Sequence, residues 1–170
     1  MTIRRKNENR DSAGHIRAKT DLANLLELYI YDFTEFFDFD IGQNGLYGYT
    51  YLSLYWTDSN RYPYLIYAEG KLAGFALIQK GSPISGDKDI WDVAEFFIMK
   101  KYRRRNIGSQ VALDLWKRFK GPWQIRVLPE NKRAYLFWSN TVNQFTWKEI
   151  IPIEVESNNT SWLVYYFVST

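Results

Sequence analysis

The sequence predicts an α+β domain with a mostly antiparallel, mixed central sheet and helices on both faces. An apolar segment at residues 92–99 precedes a basic turn and an apolar helical stripe, so a strand, a turn and a helix are expected to follow one another there. Two apolar segments flank Glu69-Gly70, which is a good hairpin turn. Two alternating segments flank Asn158-Asn159 near the end of the chain, as an antiparallel pair would. Antiparallel pairs combined with helices define the α+β class.

Length and aromatic content limit the kind of domain. The 170 residues are enough for one domain with a proper core. We expect residues 1–13 to form a polar basic tail, with an early edge strand as the alternative, and residues 14–170 to form a single domain. Seven Trp, thirteen Tyr and eleven Phe predict a bulky core together with aromatic side chains that line a cavity.

Residue types that are missing exclude several chemistries. The absence of cysteine excludes disulfides, thiolate catalysis and cysteine metal sites. A single histidine argues against a histidine-based metal centre or catalytic triad, so we expect no metal. No apolar run reaches the length of a membrane span, and no secretory signal follows the start. We therefore expect a soluble, cytoplasmic protein without a membrane partner.

Charge is nearly balanced overall and concentrated locally. The net charge of +3, from 22 basic and 19 acidic residues, is too small to favour a nucleic-acid partner. Basic residues gather at positions 4–10 and 100–105. A local cluster of positive charge suits a ligand that carries phosphate.

The first elements are predicted to be a short strand at residues 15–18 and a helix capped by Thr20 or Asp21. Near the end of that helix, acidic side chains could receive a cationic amine, although we favour a solvated helix face; they are Asp32, Glu35, Asp38 and Asp40. The core stripe of the helix has helical spacing and comprises Leu22, Leu25, Leu26, Tyr29, Ile30, Phe33 and Phe37.

A connection rich in Gly and Tyr follows at residues 41–60, with a second short helix predicted near residues 49–56. It holds too many aromatic residues for a simple linker, so we expect part of it to line a pocket and part to enter the core. A hairpin is then predicted from residues 62–68 and 71–79, followed by a turn-rich loop at 81–88 and a strand at 90–99.

A basic turn at residues 100–105 opens the next helix, whose apolar residues recur every fourth position from Ile107 to Phe119. The first N–H groups of a helix have no internal partner, and the macrodipole adds partial positive charge. Gly108 lets a ligand approach the backbone closely. The sequence therefore predicts an anion site at this helix start. The cationic side chains of the turn are Lys100, Lys101, Arg103, Arg104 and Arg105.

The remaining elements complete the predicted sheet. Gly121-Pro122 breaks the chain after this helix, and a strand is predicted at residues 123–128. A further helix is predicted to start at Asn131 and to end before Asn140. Strands at residues 146–154 and 161–168 form the final antiparallel pair.

Two blocks of sequence carry a resemblance to a known family. The run Arg105-Asn106-Ile107-Gly108-Ser109-Gln110 follows an apolar strand and resembles the acyl-CoA pyrophosphate loop of GCN5-related N-acetyltransferases. That pattern is Arg or Gln, two residues, Gly, one residue, then Gly or Ala; here Gln110 takes the last small position and Asn106 replaces a frequent glycine. The run from Asn131 to Trp138 resembles the family's next helix, Asn-x-x-Ala-x-x-Phe-Tyr. Two blocks in the right order argue against a chance match.

The resemblance implies the acyl-CoA N-acyltransferase fold, with acetyl-CoA as co-substrate. In that fold the central strand and the next one splay apart, and the acyl-pantetheine arm lies in the gap, bound like an added strand. Asn131 would bond the pantetheine arm or a water, with a plain N-cap as the alternative. The cofactor-binding residues implied are the backbone of Phe97, Ile98 and Met99, the loop formed by Arg103, Arg104, Arg105, Asn106, Ile107, Gly108, Ser109 and Gln110, and the helix residues Asn131 and Trp138.

Glu95 is the candidate general base. A carboxylate inside an apolar strand is costly to desolvate, and burial favours its protonated form. A carboxylate of that kind is suited to taking the proton of an ammonium substrate, directly or through water. Members of the family often place a base on this strand. The alternative is that Glu95 pairs with a Lys or Arg of a neighbouring strand and serves structure alone.

The candidate general acid departs from the family pattern. Where members often carry a tyrosine that could protonate the leaving thiolate, this chain has Trp138, whose indole N–H keeps its proton. Tyr135 lies three residues earlier on the same helix face and is our candidate replacement. A water molecule is the alternative proton source.

The resemblance implies an N-acetyltransferase that moves an acetyl group from acetyl-CoA to a primary amine of a small molecule or protein by direct attack. Its partners would be acetyl-CoA and the amine acceptor, and a homodimer is compatible with the sequence. One alternative is a non-catalytic CoA-binding or sensor module with the same fold. Another is a nucleic-acid binder that uses the basic turn with exposed aromatic residues.

Overall fold

The computed structural model describes residues 1–5 and 12–170, with side chains described for residues 1–5 and 17–170. Within those residues, one seven-stranded mixed sheet has the strand order β1-β2-β3-β4-β5-β7-β6. The predicted α+β class is therefore confirmed. The strands are Thr2–Arg5 (β1), Arg61–Ala68 (β2), Lys71–Lys80 (β3), Trp91–Ile98 (β4), Gly121–Val127 (β5), Ile153–Ser157 (β6) and Thr160–Ser169 (β7), and the helices are Ser12–Phe33 (α1), Leu54–Thr57 (α2), Ile107–Arg118 (α3) and Lys132–Thr146 (α4).

One compact unit comprises Met1–Leu77 and Glu95–Lys100. In it, β1 pairs antiparallel with β2, with Ile3 opposite Ile66. Glu69 and Gly70 have φ values of 53° and 72°, which is the two-residue hairpin turn that the sequence predicts between β2 and β3. The stripe of α1 enters the core, since Leu22 and Leu26 are almost fully buried.

The second compact unit comprises Ile78–Ala94 and Lys101–Thr170. Here β4 runs parallel to β5, with Trp91 opposite Trp123, and β7 pairs antiparallel with both β5 and β6. Its core is a cluster of aromatic rings around Trp116 of α3, whose ring centroid lies 4.8 Å from that of Phe167 and 5.1 Å from that of Phe145. The high aromatic content is thus partly explained by this core.

The start of the chain differs from the prediction. Residues 15–18 belong to α1 and are not a strand, and α1 begins at Ser12 instead of Thr20 or Asp21. The reason is that residues 16–19 have adequate helix propensity. The helix therefore includes them, and Thr20 and Asp21 lie within it instead of capping it. The first strand is Thr2–Arg5 instead. Residues 6–11, Arg10 among them, lie outside the described residues, so the tail boundary at residue 13 stays a prediction.

Two boundaries near the end of the chain also differ. Helix α4 continues past Asn140 to Thr146, because Val142 and Phe145 extend its apolar face into the core. It ends where Trp147 adopts a left-handed conformation with φ of 56°. The strand predicted from residue 146 therefore begins later, at Ile153. The short helix predicted in the Gly- and Tyr-rich connection is confirmed as α2.

Candidate active site

Glu95 lies on β4, partly exposed, and accepts hydrogen bonds from two tyrosines. Tyr49 donates its hydroxyl to Glu95 Oε1 at 2.9 Å, and Tyr29 of α1 donates its hydroxyl to Oε2. Two partners of this carboxylate are thus neutral hydroxyls. Hydroxyl donors orient a carboxylate and leave it the lone pairs with which a base works, since a carboxylate can accept about four hydrogen bonds.

Tyr49 stays a proton donor, and Tyr29 is packed among aromatic rings. Burial, and then the charge of Glu95, raises the pKa of the Tyr49 phenol far above its usual range, so its hydroxyl stays protonated. Tyr29 is 9% exposed, and its ring centroid lies 4.6 Å from that of Phe33 and 5.6 Å from that of Phe75. The sequence placed Tyr29 in the core and Tyr49 in the Tyr-rich connection between pocket and core, but gave no sign that their hydroxyls converge on Glu95.

Glu27 of α1 fixes the segment that carries Tyr49. Its Oε2 accepts a hydrogen bond from the backbone N–H of Tyr47 at 2.7 Å, and its Oε1 accepts one from Gly48 at 3.0 Å. Such bonds to a charged acceptor are among the stronger ones in proteins. No sequence signal marks Glu27, because its partners are backbone groups 20 and 21 residues away.

The end of β4 lies very close to β3. A Cβ on Gly74 would meet the carbonyl oxygen of Phe97 at 2.0 Å, so only glycine fits there. Met99 donates its N–H to the carbonyl of Ala73 at 2.9 Å. The peptide groups of Phe97 and Met99 therefore face β3, and strand alternation turns those of Ile98 the other way.

Lys100, the first residue of the basic turn, is tied to α1. Its Nζ lies 3.1 Å from Asp32 Oδ1. The lysine side chain is largely exposed and the aspartate side chain is 22% exposed, so this ion pair contributes modestly to stability. Of the four acids near the end of α1, Asp32 thus has a structural partner, while Glu35, Asp38 and Asp40 are exposed.

The rest of the basic turn is built around Tyr102. A short 3₁₀ turn, Lys100–Tyr102, places this ring in the core at 5% exposure. The charged ends of Lys101 and Arg105 lie over the ring, 5.8 Å and 5.9 Å from its centroid. Arg104 has a φ of 60°, and its side chain is exposed, as is that of Arg105. The turn therefore presents guanidinium groups just before α3 begins.

The predicted helix start at Ile107 is confirmed, and the predicted anion site lies at this N-terminus of α3. Asn106 precedes the helix in a left-handed conformation, and its side chain makes no capping bond to the described residues. The first N–H groups, from Ile107 to Ser109, have no partner within the helix by its geometry. The Ser109 hydroxyl lies 3.1 Å from that of Thr141, which itself donates to the Phe137 carbonyl. This contact anchors α3 to α4 and leaves the backbone N–H of Ser109 uninvolved.

The second block of the resemblance lies on α4. Asn131 is its N-cap and accepts a bond from the N–H of Ala134 at 2.9 Å. Trp138 is 6% exposed and packs against Trp116. Tyr135 is partly exposed, and its backbone carbonyl accepts a 3.4 Å bond from Tyr165. Burial raises the pKa of Tyr165 to about 12, so Tyr165 also stays protonated.

A buried ion pair, which the sequence reading missed, lies on β4 and β5. Asp92 has no exposed surface, and its carboxylate accepts two bonds from Arg126, at 3.1 Å and 2.9 Å. It also accepts bonds from Gln79 and Gln124. Each of the two apolar strands carries a charged residue, and that pattern could have indicated the pair. The parallel register sets Asp92 opposite Gln124, two residues before Arg126.

A cavity of about 720 Å³ lies at the C-terminal ends of α3 and α4. Its lining includes Lys117, Phe145 and Trp147, and none of the predicted site residues. Within residues 1–5 and 17–170, no three potential metal-ligating side chains form a group. In the described part of the chain, no helix is both long and apolar enough to cross a bilayer.

Comparisons with known proteins concern the family and the fold. The model of the acetyltransferase (GNAT) family matches residues 23–140. No curated protein sequence matches significantly. Three solved structures with the same fold cover nearly all of the chain: an N-acetyltransferase from Staphylococcus aureus Mu50 (TM-score 0.61, 11% identity, 99% of this chain and 98% of that one), an aminoglycoside 6'-N-acetyltransferase complexed with coenzyme A (0.59, 13%, 100% and 98%), and a ribosomal-protein-alanine N-acetyltransferase from Brucella melitensis (0.59, 12%, 99% and 99%).

Proposed function

The chain belongs to the acetyltransferase (GNAT) family, and on that premise we propose that it transfers an acetyl group from acetyl-CoA to a primary amine of a small molecule or protein. The observation that carries the proposal is the start of α3, where a basic turn, a helix without a side-chain cap and Gly108 occur together. Backbone N–H groups, the helix dipole and guanidinium groups all favour the same ligand, a pyrophosphate.

The cofactor contacts divide between two stretches of the chain. In this proposal the pyrophosphate binds residues 103–110 through backbone N–H groups and the arginine side chains. The pantetheine arm pairs with the end of β4, chiefly through the peptide groups of Ile98, since those of Phe97 and Met99 face β3. Along the sequence, only the 3₁₀ turn Lys100–Tyr102 separates the two stretches.

Glu95 acts as the general base in this proposal. The amine loses a proton to Glu95, directly or through water, and its nitrogen attacks the thioester carbonyl carbon. The C–N bond forms, the C–S bond breaks, and the CoA thiolate leaves with the electron pair. Tyr49 remains protonated, and the hydroxyls of Tyr29 and Tyr49 hold the carboxylate in place. No further activation is needed, because a thioester is already reactive once the amine is positioned.

The thiolate then takes up a proton. Trp138 does not supply it, because an indole N–H keeps its proton and the side chain is buried. We assign this step to Tyr135, the partly exposed hydroxyl on the same helix, with water as the alternative donor. Trp138 then contributes to the cofactor site through the packing that orients α4.

The alternative function is a CoA-binding or sensor module that keeps the fold without the reaction, and the tryptophan at position 138 favours it. A panel of primary amines, assayed by release of the CoA thiol, separates the two. Amine-dependent release that is lost in Glu95→Gln supports the enzyme. Tight CoA binding without release from any amine would support the binding module instead.

A further inference from the structure

Glu27 binds the backbone immediately before Tyr49, the residue that donates to the proposed base Glu95. Both of its carboxylate oxygens accept backbone bonds, from Tyr47 at 2.7 Å and from Gly48 at 3.0 Å. Tyr49 follows Gly48 directly and donates to Glu95 at 2.9 Å. One carboxylate on α1 therefore holds the backbone from which the hydroxyl reaches a second carboxylate on β4.

Residues 42–46, which precede Tyr47, form a turn with internal backbone hydrogen bonds. Gly42 donates to the Leu46 carbonyl at 2.9 Å, and Gly45 donates to the Gly42 carbonyl at 2.9 Å. This turn lies on the surface, and its residues are exposed. Because the bonds of this turn are internal, they do not attach Tyr47 and Gly48 to a helix or strand. The two backbone bonds to Glu27 attach these residues to α1.

The charged and titratable groups around the Tyr49 hydroxyl come from four elements. They are Tyr29 on α1, Tyr55 on α2, Arg61 on β2 and Glu95 on β4. Burial, and then the charge of Glu95, raises the pKa of Tyr49, so its hydroxyl donates to the ionised carboxylate of Glu95. A donor to the ionised form of a carboxylate stabilises that form.

We propose that Glu27 is a positioning residue, which clamps the Tyr47-Gly48 backbone so that Tyr49 stays hydrogen-bonded to the base Glu95. The inference deepens the proposed function and rests on it for the role of Glu95 as base. Release of the clamp would loosen the backbone that leads into Tyr49 and weaken the bond from Tyr49 to Glu95. Glu95 would then be protonated at higher pH, and the acidic limb of the rate profile would move up with it.

The clamp itself is tested without any assay of activity. Glu27→Gln replaces one acceptor oxygen with an NH₂ group, which cannot accept from a backbone N–H. Hydrogen exchange of the Tyr47 and Gly48 amides should become about tenfold faster, the usual worth of one bond to a charged acceptor. The milder variant Glu27→Asp keeps the charge but is one methylene shorter, and it should give a smaller increase. Unchanged exchange in both variants would overturn the clamp.

The positioning role is tested on the protonation of Glu95. Tyr49→Phe removes the hydroxyl outright, and we expect it to move the Glu95 carboxyl titration up by about one pH unit. Glu27→Gln should move it in the same direction, and the double variant no further than Tyr49→Phe alone. Carbon-13 NMR of the carboxyl groups, assigned with Glu95→Gln, gives this titration, and the pH profile of kcat/KM gives its kinetic counterpart. Glu156→Gln, a change of the same type at an exposed position of β6, is the control and should alter neither.

The outcomes separate the two proposals. Faster exchange with an unmoved Glu95 titration would overturn the positioning role. Additive effects of Glu27→Gln and Tyr49→Phe would overturn it too, because the two residues would then act independently. A moved titration in a chain that transfers no acetyl group would confirm that Glu27 positions Tyr49 on Glu95, and would reject the proposed function instead.

Discussion

Arg126 Nη2 lies 2.9 Å from Asp92 Oδ2, and the aspartate has no exposed surface. A charge without solvent needs partners, and Asp92 has Arg126 together with the amides of Gln79 and Gln124. The same carboxylate adds to the effect of burial in raising the pKa of Tyr166. The pair thus links three adjacent strands of one compact unit through a single acceptor.

Asp92 has two amide donors besides Arg126, so we predict that replacing Asp92 and replacing Arg126 lower the stability by different amounts. Asp92→Asn turns an NH₂ group toward a set of donors, and we expect a loss of about 3–5 kcal/mol in the free energy of unfolding. Arg126→Met should cost less, because two amide donors still serve Asp92. Urea unfolding of both variants measures the difference. Equal losses, or a larger loss in Arg126→Met, would contradict this account of the network.

The closeness of Gly74 to Phe97 gives a second prediction. Gly74→Ala would place a methyl group 2.0 Å from the Phe97 carbonyl oxygen, so the end of β4 must move. We expect a loss of stability of about 2–4 kcal/mol, with weaker CoA binding by the folded protein. Gly86→Ala is the comparison, because a Cβ there has no neighbour within 4 Å and only the positive φ is strained; it should cost about 1 kcal/mol. Calorimetry with CoA on both variants tests this, and equal CoA affinities would contradict it.

The sequence predicted those features that depend on neighbouring residues. The hairpin at Glu69-Gly70 and the start of α3 at Ile107 follow from local turn and helix-end chemistry. The end of α4 was misplaced because Asn140 signals a stop only if the apolar face also stops, and it does not.

Contacts between distant residues were beyond the reach of such patterns. Tyr29 and Glu95 are separated by 66 positions, Asp92 and Arg126 by 34, and Glu27 and Tyr47 by 20. Each pair meets only because strands and helices are packed in the finished fold. Spacing along the chain therefore identified Glu95 as a candidate base but not the hydroxyls that hold it.

The proposed pyrophosphate site predicts the effect of a charge at Gly108. Gly108→Asp adds bulk and a negative charge where phosphate would lie, and CoA affinity should fall by at least about a hundredfold, since like charge and lost backbone contact act together. Gly108→Ala adds bulk alone and should cause a smaller loss. Isothermal titration calorimetry gives both affinities. Wild-type affinity in Gly108→Asp would show that the pyrophosphate binds elsewhere.

The proposed acid predicts a specific kinetic defect in Tyr135→Phe. The ring and its contact with Tyr165 remain, so CoA affinity and melting temperature should stay near normal. If Tyr135 protonates the thiolate, kcat should fall by roughly a hundredfold, the lower end of general-acid assistance. Phe137→Leu is a control for loss of an aromatic group on the same helix. An unchanged kcat across pH in Tyr135→Phe would assign the step to water.

The role of Glu95 decides between an enzyme and a binding module. Glu95→Gln keeps the shape of the side chain, and its amide can still bond the hydroxyls of Tyr29 and Tyr49, which can rotate to donate or accept. The fold and CoA affinity should therefore survive. Turnover should fall by roughly two to four orders of magnitude, because the amide cannot take a proton from the amine. The acidic limb of the rate profile should vanish as well. Melting temperature and turnover measured on one sample separate the two roles, and full activity with a lowered melting temperature would show that Glu95 serves only to join α1 and the Tyr49 segment to β4.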